Sequence, residues 1–202
     1  MKKTISLFLA LALALSLAAC GGQTAQSPAP TPTAVPESPA AEAHYPVTIT
    51  SYNENGETYT QTFDQCPERV VSISQANTEL LLALGLRDKI IATAHRFSPV
   101  YEPLAEEYNS IPFIAEKGYP AKEVVLDQEP DMIVGWGSLF AEDALGPVSE
   151  WNDRGVGTYL MNNTVSGLGN RTVEFLYDDI ETLGQIFDVE DRAQAMIDDM
   201  KA

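Results

Sequence analysis

The chain has 202 residues, with 12 basic against 29 acidic side chains and a formal net charge of −17 at pH 7. That balance repels nucleic-acid phosphates and anionic lipid surfaces, so neither is expected as a charge-bound partner. Two cysteines offer no disulfide framework, and two histidines cannot build a cage of neutral imidazoles around a bare metal ion. Stability must come from an apolar core, for which the length suffices in one domain.

Lys2 and Lys3 precede an apolar run from Leu7 to Ala19 that ends in small residues. This is the pattern of a secretory signal peptide, and the run is shorter than the roughly 20 residues of a membrane span. Leu17-Ala18-Ala19-Cys20 resembles the lipobox of bacterial lipoproteins; an ordinary signal with a chance cysteine is the alternative. The resemblance implies that residues 1–19 are removed and that Cys20 is acylated and becomes the new N-terminus. The protein would then sit outside the cytoplasm, lipid-anchored to the outer face of the bacterial cell membrane. Loss of Lys2 and Lys3 makes the remainder still more acidic, so lipid, held firmly by two or more acyl chains, has to provide the membrane attachment. Residues 20–45 carry prolines at 28, 30, 32, 36 and 39 among Gly, Ser, Thr and Ala, the composition of an extended tether.

Two alternating β-rich runs, 46–50 and 58–63, flank Asn53-Glu54-Asn55-Gly56, whose Asn-Gly pair predicts a hairpin. Strands and helices then alternate. Strands are expected at 69–74, 89–94, 112–115, 131–136 and 156–161. A helix capped by Ser74 follows the first, a short helix spans about 100–108, another opens at Pro120, and helical pieces cover about 140–153. This order predicts an α/β fold with a Rossmann-like, mostly parallel sheet covered on both faces. Val173, Leu176, Ile180, Leu183 and Phe187 mark one long helix. Val189, Ala193, Met196, Ile197 and Met200 mark a second stripe, with Asp188 as its expected N-cap. The pairs Asp178-Asp179 and Asp198-Asp199 are expected on solvated helix faces.

The run Val70-Val71-Ser72-Ile73-Ser74-Gln75-Ala76-Asn77-Thr78-Glu79-Leu80-Leu81-Leu82-Ala83-Leu84-Gly85-Leu86 closely resembles the first strand and helix of one family: the substrate-binding proteins of bacterial ABC importers for iron–siderophore complexes, haem and vitamin B12. Residues 88–93, 123–134 and 183–187 fit the same family in order and spacing. Members have two α/β lobes joined by one stiff helix, with ligand held between the lobes. By this resemblance residues 46–187 are the N-terminal lobe, residues 188–202 begin the interlobe helix, and the second lobe, which would supply the other half of the pocket, is missing. Gln75 stands where the family often carries proline.

Ligand crevices in such sheets lie beyond the carboxyl ends of the strands. Those ends deliver Gln75, His95, Arg96, Lys117, Tyr119 and Trp136, which are the candidate ligand-binding residues. Trp136 matches a tryptophan lining the cleft in the vitamin B12-binding branch, and its indole suits a macrocycle or an aromatic chelate. Arg96 and His95 follow the second strand, where members place a ligand contact; a guanidinium grips carboxylate or hydroxamate oxygens, or else merely decorates an acidic surface. Lys117 and Tyr119 lie on a loop at a strand outlet, and Phe140 is a weaker lining candidate. Glu123 aligns with a glutamate that docks into permease arginines. No protein-bound metal or cofactor is expected; the ligand would carry its own chelated metal.

No G-x-S-x-G, H-E-x-x-H, P-loop or G-x-G-x-x-G motif occurs, so no enzymatic chemistry is expected. The reading is an extracytoplasmic, lipid-anchored binding component of an importer for ferric siderophores or related metal chelates, working with a permease and its ATPase. Cobalamin or haem uptake is the alternative within the family. A surface interaction module without a transport role, or an unrecognised α/β hydrolase, are the alternatives outside it.

Overall fold

The computed structural model describes residues 43–202. Cys20, the leader and the tether up to residue 42 lie outside the described residues. An antiparallel hairpin comes first, β1 (Val47–Tyr52) with β2 (Thr58–Phe63), registering Val47 against Phe63. Its turn is held by Asn53 Oδ1, which accepts the amide N–H groups of Asn55 and Glu57 at 3.0 and 2.9 Å. Gly56 adopts φ 80° there, and a Cβ at that position would lie 2.4 Å from the Ser166 carbonyl oxygen, so the turn needs glycine.

Five short strands follow: β3 (Val70–Ile73), β4 (Ile90–Ala94), β5 (Phe113–Ala115), β6 (Met132–Gly135) and β7 (Gly157–Leu160). They form one parallel sheet in the order β5-β4-β3-β6-β7. The α/β class, the parallel sheet and the leading hairpin are those expected from the sequence. Chain order runs outward from β3 in one direction and then from β6 in the other, so the topological switch point lies between these two neighbours.

The strands are largely apolar because both faces are buried, with Ser72, Thr93 and Thr158 buried among the apolar residues. Val70, Ile90, Met132, Val134 and Tyr159 point into one core with α1 (Gln75–Ala83), α2 (Ala105–Asn109), α5 (Val173–Phe187) and α6 (Glu190–Lys201). Val71, Ile73, Ala92, Ala94, Ile133 and Leu160 point into a second core with α3 (Lys122–Leu126) and α4 (Val148–Asn152). Polar groups on the first face satisfy one another: the Thr78 hydroxyl bonds Ser72 Oγ at 2.9 Å and Thr93 Oγ1 at 2.8 Å.

The hairpin protects the sheet's β7 edge through a side chain. The Gln61 amide donates to the Thr158 carbonyl at 3.0 Å and accepts the Thr158 N–H at 2.9 Å, mimicking a strand partner at an edge that would otherwise invite pairing. At the far end, α5 and α6 cross closely: a Cβ on Gly184 would lie 2.6 Å from the Ala193 Cβ.

Several local expectations need correction. Ser74 precedes α1, but at φ 110° its side chain makes no cap bond, and its buried Oγ has no partner. Asp188 caps no helix N-terminus: at φ 57° and ψ 46° it is the left-handed C-cap of α5, and α6 begins at Glu190. A left-handed residue closes the helix before it, whereas an N-cap requires extended backbone. The helix expected from Pro120 begins at Lys122. The segment near 100–108 divides into a 3-10 turn at Glu102–Leu104 and α2, and the pieces near 140–153 are a 3-10 turn at Gly137–Phe140 and α4. Asp179, expected in solvent, is buried. Of the last stripe, Ala193 and Ile197 are buried, Met196 is half-buried and Met200 is exposed.

Candidate functional site

The carboxyl ends of β3, β4 and β6, the strands at and beside the switch point, open toward the same end of the sheet. Leaving β4, the chain bends sharply at His95, whose φ of 60° places a non-glycine residue in left-handed space. Its backbone is held on both sides: His95 N–H donates to Ala115 O at 2.9 Å, and His95 O accepts from Gln75 N–H at 3.2 Å. This fixes the imidazole at the centre of an aromatic group. Ring centroids lie 5.7 Å from Phe97, 5.5 Å from Tyr119 and 5.7 Å from Trp136, the last edge-on at 76°. Phe97 and Trp136 are themselves 6.1 Å apart. These are separations at which rings attract one another.

The patch is open. Phe97 is 55% exposed and nearby Tyr101 64% exposed, while His95, Tyr119 and Trp136 are half-buried. His95 Nδ1 is buried and has no hydrogen-bond partner. The Tyr119 hydroxyl is paired with Ser138 Oγ at 2.9 Å, which joins the loop after β5 to the turn after β6. Gly137 seats that turn by donating its N–H to Thr164 Oγ1 at 2.9 Å.

The remaining sequence candidates fall at different depths. Gln75 is buried and its amide is fully engaged. Oε1 accepts the Phe97 and Ser98 N–H groups at 3.2 and 3.0 Å, and Nε2 donates to Glu79 Oε1 at 2.8 Å and to Pro99 O at 3.2 Å. It therefore shapes the loop that presents Phe97 and points no free polar group at the crevice. Arg96 turns away from His95 toward the β5 edge. Its guanidinium lies 5.0 Å over the Phe113 ring and 3.0 Å from Glu116 Oε2. Lys117 is exposed on the loop beyond. Glu123 is exposed in the first turn of α3. Phe140 is fully buried in the second core and is not part of the aromatic patch.

Of the six ligand candidates, the structure thus brings His95, Tyr119 and Trp136 into one patch, places Gln75 beneath its loop, and leaves Arg96 and Lys117 outside the ring cluster. Phe97 and Ser138 were not anticipated. Phe97 follows His95-Arg96 directly, and an aromatic residue two positions past a strand outlet was the available signal.

A parallel sheet covered on both faces, with an aromatic patch at its switch point, is the architecture of a ligand-binding α/β lobe. Residues 70–202 match the family model described as periplasmic binding protein, and the chain belongs to that family. It is 27% identical over 159 residues to an uncharacterized ABC transporter substrate-binding lipoprotein of Bacillus subtilis, covering 78% of this chain and 45% of the relative. A periplasmic binding protein from Veillonella parvula superposes with a TM-score of 0.73 at 31% identity, covering 79% of this chain and 51% of the other. An ABC-type Fe3+-hydroxamate transport system protein from Saccharomonospora viridis gives 0.63 at 25% identity, covering 78% and 54%. The chain spans about half the length of these relatives. They are substrate-binding proteins of transporters, not enzymes.

Proposed function

We propose that this chain is one ligand-contacting lobe of an extracytoplasmic substrate-binding protein, lipid-anchored through Cys20, that delivers a ferric siderophore or related metal chelate to an ABC permease and its ATPase. The observation that carries the reading is the open aromatic patch at the strand outlets, with the His95 ring set among Phe97, Tyr119 and Trp136. Aromatic faces give large contact to the organic shell of a chelate. Arg96 lies outside the ring cluster and is engaged by Glu116, so a carboxylate or hydroxamate oxygen of the ligand would have to displace Glu116 to reach the guanidinium. The likeness to the Saccharomonospora viridis protein supports the choice of ferric hydroxamates as first probe. In this reading no metal is held by protein atoms in the crevice, because the chelator already fills the ion's coordination shell.

The test is a tryptophan-quenching titration of the protein at its full natural length with ferric hydroxamate, ferric catecholate, haemin and cobalamin. Saturable quenching by a ferric chelate supports the reading. Quenching by haemin or cobalamin alone moves the ligand class to macrocycles. No quenching and no thermal shift with any of the four overturns it in favour of a surface interaction module.

A further inference from the structure

Away from the crevice, His44 meets the bend between α5 and α6. Its Nε2 lies 2.8 Å from the Gln185 carbonyl oxygen, which can only accept, so Nε2 carries a proton. In the neutral ring Nδ1 is then a bare lone pair, and it faces Asp188 Oδ1 at 3.3 Å and Glu190 Oε1 at 3.5 Å. Three acceptors thus converge, each within 4.8 Å of the others, with no donor between them. We infer that His44, Asp188 and Glu190 form a binding site for a divalent first-row transition metal, with zinc as the probe.

The donor set fits that ion class. One imidazole and two carboxylates suit zinc and its neighbours, whereas calcium and magnesium prefer oxygen alone. A metal-binding histidine almost always gives its other N–H to a carbonyl or carboxylate, which fixes the tautomer, and the Gln185 carbonyl does this here. The scaffold is firm beside the site. The Tyr45 hydroxyl donates to Ile186 O at 2.8 Å, tying the segment before β1 to the last turn of α5. Asp188 is held in its left-handed conformation by that same helix end. Side-chain exposures of 22%, 59% and 48% for His44, Asp188 and Glu190 leave an entry path and room for water at the remaining coordination positions. A bound ion would clamp the end of the tether to the root of α6.

Metal ligands must be deprotonated, so the experiment is run at about pH 8 to limit competition from protons. Zinc chloride is titrated calorimetrically into the full chain in a non-chelating buffer, with the cobalt(II) absorption spectrum as a second readout. One zinc per chain is expected, with affinity falling about tenfold or more in His44→Ala and in the double variant Asp188→Asn/Glu190→Gln. Asparagine tolerates left-handed backbone, so the double variant keeps the bend. His95→Ala and Cys66→Ser should bind as wild type does. No zinc uptake by the wild-type chain, or uptake unchanged in both the His44 and the double variants, overturns the site.

Discussion

The Tyr159 hydroxyl donates a 2.9 Å hydrogen bond to Oδ1 of Asp179, tying the edge strand β7 to the long helix α5. The same oxygen accepts the Asn162 N–H at 3.0 Å, just past the strand's end. Asp179 is 1% exposed, and burial pushes its pKa up to about 7 against the partial offset of these two bonds. In the unfolded chain an aspartate ionises near 4, so the folded state holds this proton over a window in which the unfolded state has lost it. The group's contribution to stability is therefore full below about pH 4 and is lost as pH rises through about 7. Asp179→Asn keeps an acceptor for both donors and cannot ionise. It should flatten the decline and raise stability at pH 8 by roughly 2–4 kcal/mol, read from urea unfolding at acid and alkaline pH. A variant that declines in parallel with wild type would refute the assignment.

The two tryptophans report on different places. Trp151 is fully buried and donates its indole N–H to Leu145 O at 3.1 Å, whereas Trp136 edges the aromatic patch. Trp136→Phe should remove most ligand-induced quenching and most acrylamide quenching, while Trp151→Phe should leave both largely intact and lower stability by about 1–3 kcal/mol. Equal losses of quenching in both variants would place the ligand elsewhere.

Gln75 acts on the site through the loop it holds. Gln75→Ala leaves the Phe97 and Ser98 N–H groups without their acceptor, at a cost of about 1–3 kcal/mol in local order. Hydrogen exchange at those two amides should accelerate, and ligand affinity should fall. Gln75→Glu keeps an acceptor but sets a carboxylate against Glu79 Oε1 and the Pro99 carbonyl, so it should not restore slow exchange. Unchanged exchange in the alanine variant would show that the loop is ordered by other contacts.

Glu123 is an exposed carboxylate in the first turn of α3. If it docks a permease, Glu123→Ala should impair uptake in cells while leaving ligand affinity unchanged by titration. A large loss of affinity would contradict a docking role.

Much of the fold was legible because strands buried on both faces read as predominantly apolar runs, and Val70–Ile73, interrupted only by Ser72, and Met132–Gly135 are of that kind. The long helix α5 was legible from the spacing of its apolar residues. Asp179 was misread because it was taken with Asp178 as a charged pair. Its spacing from Leu176 and Leu183, three and four residues away, already set it on the apolar stripe, and the Tyr159 hydroxyl and Asn162 N–H that meet it in the fold explain why a carboxyl is tolerated there. Asp188 was misjudged because aspartate serves both N-caps and left-handed turns, and the choice depends on backbone angles.

The sequence by itself determined the α/β alternation, the hairpin and the strand outlets, because hydrophobic period and turn chemistry are local properties of the chain. Which outlet residues face one another was decided only in three dimensions. The order β5-β4-β3-β6-β7 brings His95 and Trp136 together although they are far apart in the chain. Chain folding also turns Arg96 outward onto Phe113 and Glu116, and sets His44 against Asp188 and Glu190. Such pairings depend on strand order and helix crossing, and no residue's immediate neighbours in sequence encode them.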